Sequence, residues 1–140
     1  MKATIVKPED VPYIWSNVGP MLARVTERSE GELDPDDYLN SLMDGQMQLW
    51  IFTEDNNIVM SMVTQFIPYP KKRILRVIAM AGERFKEVHE NFISMLEAFA
   101  IKYGCSALEL WGRKGWKKML PPEWNDSYIV YTKDLKERMH

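Results

Sequence analysis

The stretch ILRVIAMAGERFKEVHENFISMLEAFAIKYGCSALEL, residues 74–110, decides the fold of this chain. It begins with an apolar run that is rich in β-branched residues, which favours a strand. A second segment, SALEL, alternates apolar and polar residues and predicts another strand. Between them lies one apolar stripe at helical spacings of three and four residues, made of Phe85, Val88, Phe92, Met95, Leu96, Phe99 and Ala100. The stretch therefore predicts a strand, a long helix closed by Gly104 and a second strand parallel to the first.

The N-terminal part predicts a short strand and a broken helix. Residues 3–7, ATIVK, alternate weakly and suit a strand. Asp10 can cap a helix that begins with VPYIW. Gly19 and Pro20 interrupt this segment, and because proline removes a helical hydrogen bond we expect a kink or a split, with MLARVTERS as a second piece.

The next segments predict a second helix and an antiparallel hairpin. Asp34 is placed as an N-cap and Gly45 follows the last turn, which gives a helix of about ten residues. Two apolar runs follow, joined by residues 55–57, whose Asx side chains tolerate the left-handed conformation of a tight turn. Pro68 and Pro70 are expected to end the second strand of this hairpin.

The C-terminal segments predict a short basic helix or loop at residues 112–120, a turn at 121–124 and a final strand at 127–135. The sequence contains no repeats or linkers, so we expect one domain over residues 1–140. Its fold class is mixed α/β, with a central, mostly antiparallel sheet, one parallel strand pair and flanking helices.

Composition narrows the class of function. Of the 140 residues, 46% are hydrophobic and 27% charged, as in a globular domain with a substantial core. The formal net charge of −2 gives no overall attraction for a polyanion, so nucleic acid is not the expected partner. A single cysteine, Cys105, excludes an internal disulfide, and with two histidines we expect no metal site. No apolar segment has the length of a signal peptide or a membrane span, which favours a cytoplasmic protein.

The order of elements, with FISMLEAFAIKYGCSALEL at its centre, resembles the GNAT superfamily of N-acetyltransferases. In that family the two strands that flank the long helix splay into a V, acetyl-CoA enters the V, and its pantetheine pairs with the backbone of the first strand. The resemblance implies a groove lined by Ile78, Ala79, Met80 and Ala81. Elementary chemistry supports such a groove, because strands that part leave backbone N–H and C=O groups in need of partners.

The resemblance also implies a pyrophosphate loop at the start of the long helix. The family pattern aligns with Arg84, Phe85, Lys86, Glu87, Val88 and His89. Arg84 fits, whereas Glu87 and His89 stand where small residues let backbone amides approach the phosphates. Two interpretations stay open. The acids are ordinary first-turn residues, with Lys86 paired to Glu90 on a solvated face, or Arg84 and Lys86 form a modified cradle.

The catalytic position is not filled by the family pattern. Leu120 stands near the position of the family tyrosine that protonates the CoA thiolate, and residues 123–124, Glu-Trp, replace a Gly-Phe pair. Tyr128 or Tyr131 would take that role if one faced the cleft. The candidates for a general base are Glu109, which points away from the leucine face of its strand, and a carboxylate of the first helices.

Two basic sets are candidates for the CoA 3′-phosphate, another anion or an acidic protein partner, although each also suits a solvated face. One surrounds Trp116 and comprises Arg113, Lys114, Lys117 and Lys118, and the other comprises Lys71, Lys72, Arg73 and Arg76. Two functions therefore stay open. One is an acyl-CoA-dependent N-acetyltransferase that acts on an amine. The other is a GNAT scaffold without catalysis that serves as a binding or assembly module, similar to small GNAT-like proteins of bacteriophage and prophage genomes.

Overall fold

The structure is a computed structural model that describes residues 1–27, 33–110, 118, 120–126 and 130–135. Its described part contains one five-stranded sheet with the strand order β1-β2-β3-β4-β5. All neighbouring strands are antiparallel except β4 and β5, which are parallel as predicted. The elements in chain order are β1 (Lys2–Val6), α1 (Val11–Thr26), α2 (Pro35–Met43), β2 (Gln48–Glu54), β3 (Asn57–Tyr69), β4 (Lys72–Ala81), α3 (Phe85–Lys102) and β5 (Ala107–Leu110), with a short 3₁₀ turn, Pro8–Asp10, before α1. The predicted mixed fold class is confirmed.

The sheet separates two apolar cores. Helices α1 and α2 cover one face, where Val18 and Leu22 of α1 pack against Leu49 and Val63 of the sheet. Helix α3 covers the other face. Its core contains Trp50, Phe52, Met60, Met62, Leu75 and Val77 of the sheet, together with Val88, Leu96 and Ala100 of α3. Because successive residues of a strand point to opposite faces, the same strands supply both cores.

Local signals placed α2 and the β2–β3 hairpin correctly. The side chain of Asp34 accepts from the backbone N–H of Asp37 at 2.9 Å, and the Asp37 side chain accepts from the N–H of Asp34 at 2.9 Å. This reciprocal pair satisfies two amides that the helix leaves open. In the hairpin turn, Asp55 and Asn56 have φ values of 50° and 65°, the left-handed conformation expected for a two-residue turn.

Proline was a misleading signal in two places. Helix α1 is continuous from Val11 to Thr26 with Pro20 inside it, so the predicted split is wrong. Val18 and Leu22 on either side of Pro20 are both fully buried, and this packing outweighs the lost hydrogen bond. Strand β3 likewise continues past Pro68, which lies opposite Arg73, but it ends at Tyr69, directly before Pro70, so the predicted end of the strand is confirmed at the second proline.

The predicted final strand is also wrong over its described part. Residues 130–135 lie in no strand, and Val130 and Leu135 are 77% and 89% exposed. An apolar run can become a strand only where a sheet edge supplies hydrogen-bond partners, and the sequence pattern does not contain that information. The predicted basic segment lies outside the described residues apart from Lys118 and Leu120.

Candidate functional site

The described pairing of β4 and β5 covers four residues of each strand. Their register runs from Ile74 opposite Ala107 to Val77 opposite Leu110, which is the last described residue of β5 in this ladder. Strand β4 continues for four more residues, to Ala81. At the same point β4 contains a bulge, because Thr64 of β3 lies opposite Val77 whereas its neighbour Val63 lies opposite Ala79, which leaves Ile78 as the extra residue. A bulge bends a strand and increases its twist. Strand β4 therefore bends at Ile78, one residue beyond its described pairs with β5.

The side chains of the predicted groove residues point to both faces of the sheet. Ile78, Ala79 and Ala81 pack into the core beneath α1 and α2. Met80 packs on the α3 side. Two successive residues on one face, Ile78 and Ala79, are the usual result of a bulge. The backbone of residues 78–81 and the side chain of Met80 are thus the parts that a guest beside α3 can contact.

Gly82 lies in the short connection between β4 and α3. Its φ is +129°, and an added Cβ would lie 2.5 Å from Cγ of Met60 and 2.8 Å from the carbonyl oxygen of Val59. A side chain would therefore be strained by the backbone and would also collide with β3. This close approach places the N-terminus of α3 beside the end of β4.

The predicted phosphate-binding arginine already has two carboxylate partners. The Nε and Nη2 atoms of Arg84 donate to Glu87 at 2.8 and 2.9 Å. Its Nη1 donates to the carboxylate of Glu54, at the end of β2. Hydrogen bonding and the positive charge of Arg84 lower the pKa of Glu54, and the two carboxylates raise the pKa of Arg84. This carboxylate cluster, Glu54–Arg84–Glu87, carries a formal charge of −1, which disfavours a pyrophosphate at the start of α3.

Lys86 lies apart from this cluster. Its Nζ is 3.8 Å from the carboxylate of Glu90, and both side chains are exposed. This matches the predicted pair on a solvated face. Such an exposed pair stabilises a helix by less than about 1 kcal/mol. Glu87, in contrast, is bound to Arg84, so it is more than a solvated first-turn acid.

His89 and Trp124 form a hydrogen bond at the edge of an apolar cavity. The indole Nε1–H of Trp124 donates to Nε2 of His89 at 2.9 Å. A turn in which the N–H of Trp124 donates to the carbonyl of Pro121 at 3.1 Å holds the indole in place. The cavity behind the two rings has a volume of about 40 Å³ and lies between α3 and the sheet.

Of the three predicted catalytic residues, the structure describes Glu109 and Tyr131. Glu109 points to the face opposite Leu108 and Leu110, as predicted, and its carboxylate accepts from Nε of Arg76 at 2.5 Å. This ion pair gives the carboxylate a structural partner, and the general-base role of Glu109 stays a prediction. Tyr131 is 86% exposed and belongs to no strand, and Tyr128 lies outside the described residues.

Of the two basic sets, the one at residues 71–76 does not reach the start of α3. Arg113, Lys114, Trp116 and Lys117 lie outside the described residues, and Lys118 is exposed. The set at residues 71–76 lies at the opposite end of β4 from Arg84. Within it, Arg76 is bound to Glu109, and the guanidinium of Arg73 lies 4.4 Å from the ring centre of Phe66.

Sequence reasoning missed two residues of the site, Glu54 and Trp124. The β2–β3 hairpin turn and the C-terminal end of β4 lie at the same end of the strands, because Glu54 pairs with Asn57 and Ala81 pairs with Ser61. Topology alone therefore places Glu54 near the start of α3. Trp124 had been noted only as a replacement for a family phenylalanine. Its indole N–H needs an acceptor when half-buried, and His89 was a candidate for that acceptor.

The described residues contain neither a metal-binding cluster nor a membrane-spanning helix. The described ranges contain no group of three or more His, Cys, Asp or Glu residues able to hold a metal ion. The helices described here are all too short or too polar to cross a membrane. Cys105 is a buried free thiol, and its pKa is raised by burial, so it is poorly suited to act as a nucleophile.

Comparison with solved structures identifies the fold. The chain aligns with the ribosomal-protein-alanine N-acetyltransferase of Brucella melitensis biovar Abortus 2308 over 94% of this chain and 99% of that one, with a TM-score of 0.62 and 17% identity. The fold is that of the GNAT acetyltransferases. An aminoglycoside acetyltransferase from an uncultured soil metagenomic sample, solved with sisomicin, aligns over 96% of each chain with a TM-score of 0.67 and 13% identity. No protein-family model and no curated protein matches the sequence. The GNAT fold is thus shared at identities too low to carry over an activity.

Proposed function

We propose that this GNAT-fold protein transfers an acyl group from acyl-CoA to an amine. The observation that carries this proposal is the bulge of β4 at Ile78, which bends the strand that is paired in parallel with β5. The backbone of residues 78–81 then lies beside the start of α3, where a pantetheine chain with its two amides can pair with it. The aligned acetyltransferases agree with this assignment at the level of the fold.

The site suits the pantetheine arm of a CoA thioester better than its pyrophosphate. The apolar surface around Met80 suits a pantetheine arm. The start of α3 suits a pyrophosphate only if Arg84 exchanges a carboxylate for a phosphate, because Glu54 and Glu87 both bind it. Weak binding is therefore expected, and the exchange is the step that limits affinity.

The chemistry proposed is direct transfer. The amine nitrogen attacks the thioester carbonyl carbon, a C–N bond forms, and the C–S bond breaks to release the CoA thiolate. The amine loses one proton and the thiolate gains one, so the products are an N-acyl amine and free CoA. A backbone N–H near Met80 would donate to the carbonyl oxygen as negative charge develops there. Tyr128 stays a candidate for the acid that protonates the thiolate.

The experiment is binding of acetyl-CoA to the full chain, followed by thermal unfolding and by calorimetry. A ligand at 100 times its dissociation constant adds about 2.7 kcal/mol of stability, which raises the melting temperature by several degrees. A melting temperature that does not change in millimolar acetyl-CoA, with no heat of binding, would reject the proposal.

The second candidate is a binding module without catalysis, and the pairing of Arg84 favours it. Arg84 is bound to the carboxylates of Glu54 and Glu87, which leaves it less able to bind a phosphate. In this case neither acetyl-CoA nor free CoA binds. The two candidates thus differ in one measurement, and a protein partner would then be sought through the basic segment of the sequence that contains Trp116.

A further inference from the structure

The cavity beneath α3 is apolar and lies beside the described pairing of β4 and β5. Val77 and Leu110, the last described pair of the two strands, both line it, and Met80 lines it further along β4. Met62 from β3 and Met95 from α3 complete a ring of three methionines. A thioester paired with the backbone of residues 78–81 would therefore have its acyl end next to this cavity.

The size of the cavity can be compared with that of an acyl chain. A single water molecule needs about 10–15 Å³ on this measure. The cavity, at about 40 Å³, has room for about three atoms of that size. The lining is apolar, so the added carbon atoms of a chain would be buried against apolar side chains. Methionine side chains have three rotatable bonds and adapt to such a guest.

Two rings of the lining set an upper limit on chain length. His89 and Trp124 both line the cavity and are joined by their hydrogen bond. A chain much longer than the cavity would have to separate these two rings and expose the indole N–H without a partner. Affinity should consequently stop rising once the cavity is full.

We infer that the cavity is an acyl pocket and that the preferred substrate is a short-chain acyl-CoA of about four or five acyl carbons, not acetyl-CoA. This inference rests on the proposed function. It adds the class of acyl donor, which neither the fold nor the similar structures indicate.

The main test uses the unmodified chain and a series of acetyl-, propionyl-, butyryl-, hexanoyl- and octanoyl-CoA, with the affinity of each measured by calorimetry. Burial of one methylene contributes about 0.8 kcal/mol, so affinity should rise about fourfold per added carbon up to butyryl and then level off or fall. If acetyl-CoA binds and longer chains bind no tighter, the pocket is wrong and the proposed function stands. If affinity rises steadily to octanoyl, the size limit is wrong. If none of the series binds, the proposed function itself fails.

A variant of the lining tests the location. Val88→Ile adds one methylene to the cavity from α3, and Val25→Ile makes the same change on α1, at the opposite face of the sheet. The ratio of butyryl-CoA to acetyl-CoA affinity should fall about fourfold in Val88→Ile and stay unchanged in Val25→Ile. An unchanged ratio in both would place the acyl chain elsewhere.

NMR of the unmodified protein tests the same pocket without the use of a variant. In the unmodified protein with ¹³C-methyl methionine, butyryl-CoA compared with free CoA should shift the signals of Met62, Met80 and Met95, which line the cavity. Met43, which is 47% exposed on α2, provides the reference signal. Equal spectra with the two ligands would overturn the assignment of the pocket.

Discussion

Arg84 is the cation nearest to the proposed pyrophosphate, and its two carboxylate partners decide how well it can bind an anion. Glu87→Gln removes one negative charge and one ionic partner of Arg84. Glu90→Gln removes the same charge from the same helix but touches Lys86 instead. We expect Glu87→Gln to bind acetyl-CoA about two- to fivefold more tightly, because it removes one competing partner of Arg84 and a solvent-exposed ion pair contributes little. Calorimetry should show little change in Glu90→Gln, and equal effects of the two variants would mean that only the total charge matters.

The lowered pKa of Glu54 predicts an acid-dependent loss of stability. Since the folded pKa lies below the ordinary value of 4.5, the ion pair with Arg84 stabilises the fold above that pH and is lost as pH falls through the folded pKa. The raised pKa of Arg84 lies above this range and contributes no slope there. Urea unfolding between about pH 5 and pH 2.5 should show a shallower decline in Glu54→Gln than in the unmodified protein. Parallel curves would contradict the pairing.

Alanine substitutions at Gly82 and Gly45 distinguish the cost of backbone strain from the cost of steric collision. Both have positive φ values, +129° and +76°, but a Cβ on Gly82 would strike β3 whereas one on Gly45 meets nothing within 4 Å. Gly82→Ala should therefore cost about 2–4 kcal/mol in the free energy of unfolding, the sum of strain and overpacking. Gly45→Ala should cost about 1 kcal/mol from strain alone. Urea denaturation measures both, and a milder effect at Gly82 would contradict the close approach.

At the scale of residues, the sequence predicts a side chain's partner well when that partner is close in the chain, and poorly when it is distant. Asp34 was predicted as a cap because its partners are three residues away. Arg84 was predicted as an anion ligand because Glu54, thirty residues earlier, was not considered as its partner. Long-range ion pairs depend on strand register, which a local pattern does not specify.

At the scale of elements, Pro20 tests how far packing overrides local preference. A proline inside a helix removes one hydrogen bond and costs about 3 kcal/mol. Pro20 is exposed, so Pro20→Ala should raise the free energy of unfolding by about 1–3 kcal/mol. Pro12 lies in the first turn of the same helix, where no helical bond is lost, and Pro12→Ala should be nearly neutral. Chemical denaturation of both variants checks this, and destabilisation by Pro20→Ala would show that the helix depends on the bend.

Elements with strong periodicity were predicted well, and elements that depend on a neighbour were not. Helix α3 presents one apolar stripe, and its observed range, Phe85–Lys102, agrees with the sequence. Residues 130–135 contain Val130 and Tyr131 but form no strand, because β-structure requires an edge to pair with. The bulge at Ile78 could not be predicted from the sequence either, because a bulge depends on how two strands pair.

At the scale of the whole molecule, the shared sheet predicts that the two cores unfold together. Leu22 lies at the centre of the core beneath α1 and α2, and Leu96 lies in the core beneath α3. Either residue changed to alanine should cost about 2–5 kcal/mol, because each leaves a cavity. The strands that pack on Leu22 also pack on Leu96, so neither core can open without disrupting the pairing that supports the other.

Fluorotryptophan NMR during urea unfolding can follow the two cores separately. Trp15 of α1 reports on the core beneath α1 and α2, and Trp50 of β2 reports on the core beneath α3. In the unmodified protein and in Leu22→Ala, the folded signals of Trp15 and Trp50 should disappear at one shared urea concentration, which is lower in the variant. If Leu22→Ala instead releases Trp15 first while Trp50 keeps its folded signal, the layers are separable. The acyl pocket beneath α3 would then be independent of the α1–α2 layer, and a guest in it would protect Trp50 but not Trp15.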